Sequence, residues 1–256
     1  MLFSFIIQAD NSSYQLKRAI DSIINQPKWD DDAEIIIIID GLNQLDLSLQ
    51  KYVQYPKIKF INHPYQMGAA EAENLGIINA RNKFVVLLNA NNLLVEHGLA
   101  HLKKLVQNNN YDLFFCGTRV LKENKLMYDP DFVGHKSYYD LLIHSVGSYL
   151  PICNRKLMKN NLFKNVKGHE NIAWFNLAKR GYRLYFDNEP ICLYDKARRL
   201  NDLNSINKKE GYLLFLKEFG IDLKYLNYNE YLKLNIKLFC SYFSIFNFLK
   251  VKPSKI

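Results

Sequence analysis

Five isoleucines in a row, Ile35 to Ile39, end in Asp40 and leave this chain little choice of fold. An aliphatic run with no polar alternation is a strand covered on both faces, and such strands belong to parallel sheets flanked by helices. The neighbouring sequence supplies the flanks. Leu2–Ile7 reads as a first strand. Leu16, Ala19, Ile20, Ile23 and Ile24 then recur at helical spacing behind a Ser12 or Ser13 cap, and Pro27 closes the helix. A helix near 45–55, a strand at 57–61, a helix at 69–80 and a central strand Phe84–Leu88 follow. A helix at 95–107 and a strand at 113–118 continue the alternation expected of βαβ units.

The pattern loosens beyond Arg119. Helices are predicted near 136–144 and 171–180, and short strands at 184–186 and 191–194. From residue 204 onward the chain reads as helices. The expected architecture is one α/β domain over residues 1–200, with a doubly wound, mostly parallel sheet, and a helical C-terminal extension over 201–256.

Bulk properties narrow the function classes. No run reaches roughly 18 apolar residues, so no membrane-spanning helix is expected. The cysteines (Cys116, Cys153, Cys192, Cys240) show no CxxC spacing, which argues against a structural zinc site and for reduced, buried thiols of a cytoplasmic protein. Net charge is +9, with 34 basic against 25 acidic residues. A nucleic acid, an anionic membrane surface or a phosphorylated substrate could answer that charge, as could a plain solvated surface rich in lysine. No nucleic-acid recognition motif stands out, so nucleic acid is not expected as a partner.

The chemistry-bearing residues fall in a recognisable order. Ser4-Phe-Ile-Ile-Gln-Ala-Asp-Asn11 ends the first strand, with Gln8 and Asn11 at its mouth. Glu34 to Gly41 ends in Asp40. Gln66-Met-Gly68 is followed by Ala72-Glu-Asn74-Leu-Gly76. Phe84-Val-Val-Leu-Leu-Asn-Ala-Asn-Asn92 closes the central strand, and Gly168-His-Glu170 precedes Gly181-Tyr-Arg-Leu-Tyr185 and Pro190-Ile-Cys-Leu-Tyr194. This series resembles the family 2 glycosyltransferases, inverting enzymes with a GT-A fold, over roughly residues 3–200. The resemblance implies a Rossmann-like nucleotide-binding half.

Several positions depart from the family pattern. Gln8 and Asp10 replace the proline and tyrosine of P-x-Y-N. Ile39 stands where the first acid of the D-D pair belongs. Glu73 stands in place of an arginine, and His169 and Glu170 replace the G-E-D acids. Most tellingly, Asn89, Asn91 and Asn92 fill the acidic places of the metal-binding L-D-x-D-D motif.

The resemblance implies transfer of a sugar from a nucleoside diphosphate to an acceptor hydroxyl. Such a reaction needs a pocket for base and ribose, positive charge for the leaving diphosphate, and a base for the acceptor proton. Asp40, Gln8, Asn11, Gly68 and Asn74 are expected at the donor, with Asp40 able instead to cap its turn. Asn89, Asn91 and Asn92 can hydrogen-bond ribose, phosphate or sugar hydroxyls. Amides bring no charge to a hard cation, so no metal should be held tightly, and Mg²⁺ or Mn²⁺ only weakly. Arg198 and Arg199 are the expected partners of the diphosphate, ahead of Arg81, Lys83 and Arg119. Glu170 is the expected general base, with His169 as an alternative or as an orienting group, while Glu170 could equally cap the helix that follows.

The implied activity is a hexosyltransferase using a nucleotide sugar, UDP-linked, on a glycan or lipid-linked acceptor in polysaccharide or lipopolysaccharide assembly. The lost acids and the Glu73 charge reversal also suit a catalytically silent domain that binds nucleotide or glycan, or serves as a partner subunit. The Phe, Tyr and Lys of Tyr231–Lys252 allow peripheral contact with an anionic inner membrane, or packing on the domain or on a second copy of the chain.

Overall fold

A computed structural model describes residues 2–9, 13–41, 47–63, 65–108, 110–143, 148–166, 168–195, 206–220 and 222. In chain order the elements are β1 (Phe3–Ala9), α1 (Ser13–Ile24), a short α2 (Trp29–Asp32), β2 (Ala33–Asp40), a 3₁₀ segment (Leu47–Tyr52), β3 (Ile58–His63), α3 (Ala69–Asn79), β4 (Phe84–Leu87), β5 (Asn92–Leu94) and α4 (Gly98–Asn108). Then follow β6 (Leu113–Val120), β7 (Gly134–Lys136), α5 (Tyr138–Ile143), β8 (Tyr149–Asn154), α6 (Arg155–Lys159), α7 (His169–Lys179), β9 (Leu184–Tyr194) and α8 (Ile206–Phe219).

The strands form a single sheet in the order β3-β2-β1-β4-β8-β6-β9-β5, with β7 paired to β9. The half β3-β2-β1-β4 is entirely parallel. Beyond β4 the sheet is mixed, because β8 runs antiparallel to both β4 and β6, while β6 and β9 are parallel. The mostly parallel sheet expected from sequence therefore holds for the first half and gives way to mixed pairing in the second.

The isoleucine run lies at the centre of β2, with exposures of 0–3% from Ile35 to Ile39. Alternate residues feed opposite faces. Ile36 and Ile38 join the core beneath α3 and α7, while Ile35, Ile37 and Ile39 pack with α1 and α4. Each such side chain contributes roughly 1.5–3 kcal/mol of burial. Gly76 lets α3 lie flat on β1, since a Cβ there would stand 2.3 Å from Ile6 Cγ2. On the other face, His101 of α4 meets Asp187 of β9 at 2.5 Å and fastens that helix to the sheet. Cys116, Cys153 and Cys192 are buried free thiols.

Some elements differ from the sequence reading. The expected helix at 45–55 is a 3₁₀ segment ending at Tyr52. Residues 92–94, expected to lead into a helix, form β5 instead, because they find a partner in β9. The two short strands expected at 184–186 and 191–194 are one strand whose register on β6 shifts between Cys116 and Thr118. Phe215 and Phe219 of α8, from the expected extension, are buried in the same core as Phe175 of α7. No helix among the described residues is long and apolar enough to cross a membrane.

Candidate active site at the carboxyl edge of the sheet

The carboxyl ends of β1, β2 and β4 share one edge of the parallel half-sheet, where α/β folds gather ligands. By alternation with Ile6 and Ile38, Gln8 and Asp40 project from the face that carries α3. Gln8 is half-buried. Asp40 is 6% exposed, and both its oxygens are engaged: Oδ1 accepts from the Met67 amide at 2.6 Å and Oδ2 from the Gly68 amide at 3.0 Å. Asp40 thus fixes the turn that launches α3. Gly68 holds φ at 88°, a conformation that favours glycine, and its amide is spent on Asp40.

Asn74, expected at the donor, does something else. Its side-chain amide donates to the Phe163 carbonyl at 2.9 Å and its oxygen accepts from the Phe163 amide at 2.8 Å. That reciprocal pair clamps the loop before α7 to α3, so Asn74 positions the site from behind. Asn165 extends the clamp through Glu71 Oε1 at 2.8 Å.

The asparagine cluster lies just past β4. Asn89 is exposed, and its carbonyl accepts from the Asn92 amide at 2.9 Å to make a tight turn. The Asn91 carbonyl accepts from the Asp195 amide at 2.8 Å, and Asn92 pairs with Tyr194 in the β5–β9 ladder. The chain therefore leaves β9 beside the cluster. Asp195 is ion-paired with Arg18 of α1. Asn92 Oδ1 is buried and accepts no hydrogen bond from the described residues.

This donor set does not suit a tightly held Mg²⁺ or Mn²⁺. It offers three neutral amides, and the carboxylate hydrogen-bonded to it through its backbone, Asp195, is already neutralised by Arg18. Arg81 and Lys83 precede β4 and lie at the opposite edge, where the Arg81 amide binds Glu34, so the strand length separates them from the carboxyl ends. Arg119, near the carboxyl end of β6, is half-buried. Asn11, Arg198, Arg199 and Tyr231–Lys252 lie outside the described residues.

Glu170 and His169 open α7, behind Gly168 in the left-handed conformation. The N-cap is Gly168 and no side chain of the described residues caps it, so Glu170 lies inside the first helical turn and does not cap the helix as the alternative had it. His169 and Glu170 both meet a residue that sequence reasoning treated only as an oddity. His169 Nε2 lies 2.9 Å from Glu73 Oε2, and a carboxyl oxygen of Glu170 stands within 4.8 Å of this pair. The departures at 73 and 169 thus touch each other.

Glu73 is 4% exposed, and burial raises its pKa to about 8. Glu170 is raised to about 7, first by burial and then by the neighbouring Glu73, with His169 pulling the other way. A helix N-terminus favours a carboxylate by up to about 2 kcal/mol, and here desolvation outweighs it. Glu170 can therefore exchange a proton near neutrality. A signal for Glu73 was present in the sequence: with Ala70 and Ile77 it occupies the buried i, i+3, i+7 stripe of α3, where a charge must find a partner.

Comparison with known proteins adds the following. The family model described as "Glycosyl transferase family 2" matches residues 4–173. An uncharacterized glycosyltransferase of Methanocaldococcus jannaschii is 24% identical over 228 residues, covering 84% of this chain and 78% of that protein. The GalNAc(5)-diNAcBac-PP-undecaprenol beta-1,3-glucosyltransferase of Campylobacter jejuni is 27% identical over 249 residues, covering 90% of this chain and 78% of that protein. Among solved structures, S. aureus TarS 1–349 in complex with UDP-GlcNAc superposes with a TM-score of 0.74 at 14% identity, over 94% of this chain and 73% of that one. At that identity the superposition speaks for the GT-A fold alone.

Proposed function

The chain belongs to glycosyl transferase family 2, and from that premise we propose that it moves a sugar from a uridine diphosphate donor to a hydroxyl of a glycan or lipid-linked acceptor, with inversion and without a tightly held metal. The observation that carries the reading is the pairing of an acid-free edge at Asn89, Asn91 and Asn92 with a near-neutral carboxyl, Glu170, on the face that carries Gln8 and Asp40.

Base and ribose bind over the ends of β1 and β2, between Gln8 and the loop that Asp40 fixes. The asparagine amides hold sugar and ribose hydroxyls. Arg198 and Arg199, three and four residues beyond Asp195 in the sequence, balance the diphosphate by charge and forked hydrogen bonds. Glu170 accepts the acceptor's hydroxyl proton as the new bond forms at the anomeric carbon, and the bond to the diphosphate breaks on the opposite side. The uridine donor is supported by the TarS complex with UDP-GlcNAc, and the lipid-linked acceptor by the undecaprenol-linked substrate in the name of the Campylobacter relative.

The test is release of sugar from UDP-sugars, with and without an acceptor glycan, in excess EDTA. Turnover should persist in EDTA and disappear in Glu170→Gln. Activity that EDTA abolishes and Mn²⁺ restores would overturn the metal-independent reading. UDP binding without any turnover would favour a silent binding domain.

A further inference from the structure

Resting on the assignment of Glu170 as the base, we infer that Glu73 is its positioning partner: the two carboxyls form a dyad that holds one proton at rest, steadied by His169. The geometry behind this is a cluster drawn from two helices distant in sequence. Glu73 is supplied by α3, His169 and Glu170 by α7, and Cys153 of β8 closes the floor.

Two carboxyls this close, one buried and one half-buried, do not both ionise readily at neutral pH without a cation between them. The titratable groups facing the dyad are His169 from α7 and the Cys153 thiol from β8, whose own ionisation burial suppresses. Glu71 of α3 is tied to Asn165, and Lys164 of the preceding loop is tied to Glu218. Among the described residues, no lysine or arginine forms an ion pair with Glu73 or Glu170. His169 Nε2 meets one Glu73 oxygen at 2.9 Å, which leaves the other oxygen of that carboxyl for Glu170.

The proton balance is simple. At rest the dyad carries one proton and a single negative charge. When the acceptor hydroxyl gives its proton to Glu170, the dyad carries two and is neutral. The acceptor oxygen bonds the anomeric carbon, and the electron pair of the broken bond leaves with the diphosphate. A neutral dyad after transfer avoids an uncompensated buried charge, and Glu73 sets the pH at which Glu170 becomes available.

The experiment is a pH titration of the full chain labelled with ¹³C at the glutamate carboxyls, followed by NMR. Two carboxyls should titrate far above the others in the wild-type protein, close to neutrality and above. In Glu73→Gln the upper of the two steps should vanish, because the second ionisation, which sets one negative charge beside another, needs both carboxyls. If no wild-type glutamate titrates above about pH 6, or if two elevated titrations persist in Glu73→Gln, the dyad is refuted. The wild-type titration decides even if the variant does not fold. It needs no turnover, so a failed transferase assay would count against the base assignment and leave the dyad to be judged by its own signal.

Discussion

Replacing Glu73 with glutamine should change how the stability of this protein responds to pH. A carboxyl that ionises near 8 in the fold, against an ordinary value of 4.5, holds its proton more tightly in the native state. Its favourable contribution is complete at acid pH below the ordinary value and is lost as pH climbs to the folded value, because the unfolded chain releases the proton first. Between those limits the loss is about 1.4 kcal/mol per pH unit, or about 4 kcal/mol from pH 5 to pH 8. That is a large share of the 5–15 kcal/mol or so that holds an ordinary domain together. Glu170, raised to about 7, adds to the fall in the same direction. Urea denaturation followed by circular dichroism at pH 5, 6.5 and 8 reads the effect directly. The wild-type protein should lose several kcal/mol more than Glu73→Gln over that range, so that the variant gains on it steadily. Parallel curves for the two proteins would refute the reasoning, since they would place Glu73 in contact with water or with an unseen cation.

Other outcomes follow from single contacts. Asp40→Ala leaves the Met67 and Gly68 amides without their acceptor, which should cost about 2–4 kcal/mol in urea unfolding and weaken UDP binding in calorimetry. Gly76→Ala forces a Cβ into Ile6. The overpacking of about 1–3 kcal/mol should outweigh the helix-propensity gain of up to about 1 kcal/mol and lower the melting temperature. Joint substitution Asn89→Asp and Asn91→Asp puts two carboxylates at the mouth of β4. Mn²⁺ affinity by calorimetry should rise at least about tenfold, roughly 1.4 kcal/mol, and an unchanged affinity would show that the turn cannot present ligands to a cation.

Most of the parallel half of the sheet was legible because β1, β2 and β4 are apolar runs and α1 carries a clear stripe. β1, β2 and β4 needed no tertiary information. β8 was missed: Tyr149-Leu-Pro-Ile-Cys-Asn154 contains a proline and no alternation, and it becomes a strand only because β4 and β6 offer it two edges. β5 was missed for a similar reason, as three residues carry no period of their own. In the site, strand-end positions such as Gln8, Asp40 and Asn89 could be read from order alone. The partner of His169 could not. Glu73 lies 96 residues earlier in the chain, and local pattern marks only that a buried charge needs company, never which residue provides it. Asn74 shows the converse: a motif position with suitable chemistry that the fold spends on a loop.

The most direct test is calorimetric titration of UDP into the full chain in excess EDTA, repeated with saturating Mn²⁺ and with Arg198→Ala/Arg199→Ala. Binding of similar strength in both conditions, lost or sharply weakened in the arginine variant, is the expected result. Binding that appears only with Mn²⁺, or no binding at all, would contradict a donor site that holds its diphosphate by side-chain charge.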